Sequence, residues 1–70
     1  MQRGIVKWYN EGRGIGIILA ETDKKELIVS HKDMNGPGFK ILFPGQRVEF
    51  EIVQTKKGLC ATSVVSINDI

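Results

Sequence analysis

The stretch GIVKWYNEGRGIGII, Gly4 to Ile18, decides how this chain is read. Two short segments rich in branched and aromatic residues, GIVKWYN and IGII, flank the turn NEGRG (Asn10–Gly14). Glycine and asparagine supply turn conformations at little steric cost, and β-branched residues suit the flanks of such a turn. The stretch therefore reads as strand, turn, strand. Its second half, RGIGII (Arg13–Ile18), sets a basic residue before alternating glycines and isoleucines. Arginine beside glycine on a short strand suggests a nucleic-acid-binding strand. The ring-bearing side chains that such a strand normally displays are missing.

Outward from this stretch, further turn signals cut the chain into short pieces. ETDKKE (Glu21–Glu26) is polar throughout, NGPG (Asn35–Gly38) and PG (Pro44–Gly45) are breakers, and TKKG (Thr55–Gly58) fits a hairpin turn. Between them lie RGIVKWYN, IGIILA, ELIVS, QRVEFEIV and LCATSVVSI. The clearest alternation sets Val48, Phe50 and Ile52 against Glu49, Glu51 and Val53, an apolar face against a mostly charged one. The connection from His31 to Pro44 has room for one helical turn near Lys32–Asn35, and its glycines and prolines prevent more. Five short strands in 70 residues cannot build a two-layer sandwich with much core. A closed barrel removes the exposed sheet edges, so the expected fold is all-β, a small five-stranded OB-type Greek-key barrel.

Composition bounds the rest. Residues 1–70 read as a single domain, 41% hydrophobic and 26% charged, which is ordinary globular composition. A chain this short buries only about 60% of its unfolded surface, so modest stability is expected. The net charge of +2 permits a polyanionic partner without demanding one. A single cysteine, Cys60, excludes an intramolecular disulfide, and a small secreted domain usually needs such staples. No signal-peptide h-region is visible, and the longest apolar stretch, Ile15–Ala20, is far too short to span a bilayer. The expectation is a soluble cytoplasmic protein with no membrane partner.

Five blocks occur in order: GIVKWYN, RGIGII, ELIVSH (Glu26–His31), GFK (Gly38–Lys40) and PGQRVEFEI (Pro44–Ile52). Together they resemble the bacterial cold shock proteins, the cold-shock domain family, from Gly4 to about Val65. That resemblance implies an OB-type barrel that binds single-stranded RNA or DNA and performs no catalysis. Two strand motifs, RNP1 and RNP2, would display rings on an open face. Bases stack on such rings for about 1–3 kcal/mol each, and nearby cations hold the backbone. Position by position, Lys7, Trp8 and Asn10 match the family pattern, and Tyr9 stands where it usually has Phe. Arg13 takes the basic slot of RNP1, and Gly14 and Gly16 its glycine slots. Phe39 matches an aromatic of the long loop. Ile15 and Ile17 replace the two RNP1 phenylalanines, Ile28 replaces that of RNP2, Ala20 takes the last aromatic slot, and Ser30–His31 stand where the family reads His-Phe. The slots that shape the backbone survive and the slots that stack do not.

The nucleic-acid-binding residues expected from this likeness are Lys7, Trp8, Tyr9, Asn10, Arg13, Ile15, Ile17, Ile28, His31, Lys32 and Phe39. Lys40, Lys56 and Lys57 would add positive charge near the same face, with Glu11 and Glu26 offsetting some of it. Taken alone, Ile15, Ile17 and Ile28 read as core. The resemblance instead puts them outside, as an aliphatic patch that meets bases, another protein or a second copy of the chain. An interaction or self-association module built on that patch is the alternative function. Trp8 and Tyr9, being adjacent, point to opposite faces of a regular strand, so one of them should be core. The resemblance favours exposure of Trp8, with a bulge exposing part of Tyr9.

Other chemistry is poorly supported. One histidine and one cysteine cannot make a structural zinc site. Ser30 and His31 diverge on a strand and lack a third orienting group. Asp23, Glu26 and Asp33 lack metal-loop spacing, and GRGIG lacks both the Lys-Ser/Thr of a P-loop and the last glycine of a dinucleotide fingerprint. Cys60 reads as a small apolar residue of the last strand, and Lys56–Lys57 as a solvated turn. No cofactor or metal is expected.

Overall fold

The computed structural model describes residues 2–34 and 42–67. Five strands follow one another: β1 (Gln2–Asn10), β2 (Ile15–Ala20), β3 (Glu26–Ser30), β4 (Arg47–Thr55) and β5 (Gly58–Ser66). They close into a barrel in the order β1-β2-β3-β5-β4, with β4 returning to β1. All pairings are antiparallel except β3 with β5. This is the five-stranded barrel that the segment pattern predicts. Among the described residues the one helical turn is a 3-10 turn at His31–Asp33, one residue earlier than expected, and Asn35 lies outside those residues.

Period-2 alternation fills the interior. Val6 of β1, Ile18 and Ala20 of β2, Leu27 and Val29 of β3, Val48 and Phe50 of β4, and Ala61 and Val64 of β5 form one buried cluster with Met34 and Leu42. Two bulges interrupt that period and shape the barrel. In the β4–β5 ladder, Glu49 faces Val65 while Glu51 faces Thr62, so three steps on β5 match two on β4. Ser63 takes a left-handed φ of 54° there. Its inward neighbours, Ala61 and Val64, are consequently three residues apart.

The second bulge sits in β1, within Gly4–Ile18. Val6 faces Ile18 and Trp8 faces Ile17, so Lys7 is an extra residue in β1. Without it, Trp8 would share the inward face of Val6. With it, the phase flips. Trp8 turns outward, and Tyr9 turns inward to pack against the core.

One sequence expectation is corrected. Ile52 continues the inward phase of Val48 and Phe50, yet it is 41% exposed. Among the described residues, pairing of β4 with β1 stops at Phe50, and β5 alone accompanies β4 beyond that point. The β4–β5 hairpin therefore overhangs the end of the barrel, where an inward direction no longer leads to core.

Candidate nucleic-acid interface

The outer face carries a row of apolar side chains set by strand register. Trp8 lies opposite Ile17, Ile17 opposite Ile28, Ile28 opposite Cys60, and Cys60 opposite Val53. The row thus crosses all five strands. Ile15, Ile17 and Ile28 are half-buried, and none belongs to the buried core. Trp8 is 44% exposed. A second rung runs from Asn10 through Ile15 to Ser30.

The motif glycines hold this face in place. Gly14 has φ +68°, and a Cβ there would strike the His31 ring. Its carbonyl accepts the His31 N–H at 2.8 Å, which joins the β1–β2 turn to the start of the 3-10 turn. Gly16 faces Tyr9, and a Cβ on Gly16 would lie 2.8 Å from the Tyr9 ring. Glycine at this point makes the room that Tyr9 needs to enter the barrel. Burial, and secondarily the Glu11 carboxylate, hold the Tyr9 phenol above its ordinary pKa, so it is a neutral group at physiological pH.

The sequence-predicted residues therefore divide. Trp8, Ile15, Ile17 and Ile28 share the outer face. Tyr9 is half-buried and packs inward, so it contributes at most an edge to that face. Asn10 closes the β1–β2 turn. Its backbone carbonyl accepts the Gly14 N–H at 2.8 Å and its Oδ1 the Arg13 N–H at 3.1 Å. His31 is exposed beside Gly14. Lys7 pairs with Glu26 at 2.6 Å, and both side chains are about half exposed, so the pair contributes only ~0–1 kcal/mol. Arg13, Lys32, Lys56 and Lys57 have no ion pair among the described residues. Phe39 and Lys40 lie outside the described residues.

Beside the row, the overhanging hairpin and the 3-10 turn enclose an open groove of about 430 Å³. Ile15, Ile28 and Cys60 line it together with Ser30, Asp33 and Thr55, and Lys32, Lys56 and Lys57 complete it. Ser30 Oγ donates to Asp33 at 3.1 Å, and Thr62 Oγ1 donates to the other oxygen of the same carboxylate at 3.4 Å. Ser30 is thus engaged with Asp33. Among the described residues no group of three or more His, Cys, Asp or Glu is placed to hold a metal ion.

Sequence reading missed Val53, Thr55 and Asp33 as part of this surface. Val53 had a usable signal, since it is the apolar member of an otherwise acidic face. Cys60 is half-buried in β5 as a small residue should be, but it belongs to the outer row rather than to the core. Phe43, 65% exposed on the turn before β4, gave no sequence signal that separated it from a core aromatic.

Comparison with known proteins agrees with this architecture. The family model described as 'Cold-shock' DNA-binding domain matches residues 2–67. The chain is 43% identical over 65 residues to the cold shock-like protein CspE of Escherichia coli K12, covering 93% of this chain and 94% of that one. It is 43% identical, with the same coverage, to the cold shock-like protein CspC of Buchnera aphidicola from Acyrthosiphon pisum. To the cold shock-like protein CspG of Shewanella violacea it is 41% identical over 64 residues, 91% of each chain. With the closed barrel, the outer apolar row and a family match over nearly its whole length, this chain belongs to the cold-shock DNA-binding domain family.

Proposed function

We propose that this nucleic-acid-binding cold shock protein acts on single-stranded RNA or DNA, passively, on the outer face of β1, β2 and β3. The observation that carries this reading is the row Trp8–Ile17–Ile28, which the Lys7 bulge aligns across three strands. Trp8 supplies the stacking ring. Ile15, Ile17 and Ile28 bury apolar area against bases, at roughly 25 cal/mol per Å², without the planar surface of a phenylalanine. Arg13, Lys32, Lys56 and Lys57 meet phosphates, and Phe39, His31 and the edge of Tyr9 extend the site. Trapping unpaired strands shifts duplex equilibria, and no catalytic step enters. The setting is the cytoplasm. Among the described residues no helix is long and apolar enough to cross a membrane.

Three ring-to-isoleucine positions, at about 1 kcal/mol each, weaken binding by roughly a hundredfold relative to a fully aromatic face. The test is a titration of the purified protein with oligo-dT and with mixed-sequence strands at low salt, read by emission of Trp8, its only tryptophan. Quenching at micromolar concentrations is expected, and it should weaken steeply with salt because phosphate contacts release counterions. No change up to about 100 μM, where binding would be weaker than about −5.5 kcal/mol, overturns the reading.

A further inference from the structure

We infer that Asp33 makes the groove beside the apolar row a subsite that selects guanine; this rests on the single-strand reading above and adds a base preference to it. Asp33 is half-buried and lines the groove with Ile15, Ile28 and Cys60. Its carboxylate is fixed from two elements. Ser30 Oγ, at the end of β3, donates to one oxygen at 3.1 Å, and Thr62 Oγ1 of β5 donates to the other at 3.4 Å. The next residue, Met34, bridges to Val64, which ties the end of the 3-10 turn to the same strand. The carboxylate is therefore positioned before a ligand arrives, which lowers the ordering cost of binding.

A carboxylate beside a strand-binding face disfavours every strand, because it repels phosphates. Lys32, Lys56 and Lys57 line the same groove, have no ion pair among the described residues and outnumber it. What Asp33 contributes is acceptor capacity. A carboxylate has about four lone-pair sites. Ser30 and Thr62 occupy one on each oxygen, and Asp33 has no ion pair among the described residues. Each oxygen thus keeps room for one more donor.

Unpaired bases are read on their Watson–Crick edges. Guanine alone presents two adjacent donors there, N1–H and the N2 amine, which match the two oxygens of one carboxylate. Cytosine and adenine each present one amine beside a ring-nitrogen acceptor. Thymine and uracil present one N–H between two carbonyl oxygens, and a carboxylate repels both carbonyls. The groove, at about 430 Å³, falls in the size range of small-ligand sites. Ile15 and Ile28 give the ring an apolar floor, and the three lysines take the flanking phosphates.

The test titrates three short strands at low salt: oligo-dT, the same strand with one central guanine, and the same strand with one central inosine. Inosine keeps the purine ring and N1–H and lacks the N2 amine, so stacking alone does not separate it from guanine. The wild-type protein should bind the guanine strand at least about fivefold more tightly than oligo-dT, the low end of what a bidentate base contact gives, with the inosine strand between them. Asp33→Asn removes the charge and keeps the shape. It should bind the guanine and inosine strands equally, while its affinity for oligo-dT holds or rises. Equal binding of guanine and inosine strands by the wild type overturns this inference alone. So does a guanine preference over inosine that survives in D33N. No binding of any strand overturns the single-strand reading, and the base preference falls with it.

Discussion

The two faces of β2 are built under different demands. Inward, Gly16, Ile18 and Ala20 are completely or almost completely enclosed. Gly16 leaves room for the Tyr9 ring, and Ile18 has no exposed surface. Outward, Ile15 and Ile17 are half-buried by their cross-strand neighbours and have no barrel interior to fill. The inner face fixes the fold and tolerates little. The outer face accepts any residue that suits a pleated surface, so its chemistry can change while the barrel stays. Isoleucine in place of a ring is such a change, since β-branched and aromatic residues both suit strands.

Single truncations on the two faces separate these demands. Ile18→Ala removes a fully buried side chain and should cost about 2–5 kcal/mol in urea unfolding, a large share of the stability of so small a domain. Ile17→Ala, one residue away, should cost markedly less. Similar losses at both positions would show that the outer face is packed as tightly as the core. Next in size is Trp8→Ala. It should weaken binding of a labelled single strand by about 1–3 kcal/mol, five- to 150-fold, with little change in the unfolding midpoint. A stability loss as large as that of Ile18→Ala would mean that Trp8 is part of the core.

The double substitution Ile15→Phe with Ile17→Phe runs the comparison in reverse. Restoring two rings should raise single-strand affinity by about 2 kcal/mol, or roughly thirtyfold, and leave folding nearly unchanged. Unchanged or lower affinity by fluorescence anisotropy would remove these positions from the binding face.

Much of this organisation was legible in the sequence, for definite reasons. Turn residues at Asn10–Gly14, Pro44–Gly45 and Thr55–Gly58 bound the strands, and branched residues fill them. What alternation alone could not show was a change of phase. Lys7 looks like any strand residue, yet as the extra residue of a bulge it decides that Trp8 faces out and Tyr9 in. Ile52 failed for the opposite reason. Its phase was right, but the barrel ends before it, and where a barrel ends is set by the pairing of β4 with β1 rather than by β4 itself. Cys60 and Val53 joined the outer row through register between strands far apart in sequence, which no local window contains.

The smallest expected effect concerns Tyr9, the residue shared between the two faces. Its ring enters beside Gly16, and burial, with Glu11 adding to it, raises the pKa of its phenol. The folded protein thus holds the phenol proton more tightly than the unfolded chain does. The unfolded chain releases that proton near the ordinary value of about 10. Above that pH the folded state binds more protons than the unfolded one, so stability falls as pH rises through the folded value. Tyr9→Phe keeps the ring and removes the proton. Lysine titration in the same range is common to both proteins and cancels in their difference. Urea midpoints measured from about pH 8 to pH 11 should therefore converge on those of Tyr9→Phe from above, or fall below them, as the pH increases. Curves that stay parallel would mean that the Tyr9 phenol is as solvated in the fold as in the unfolded chain.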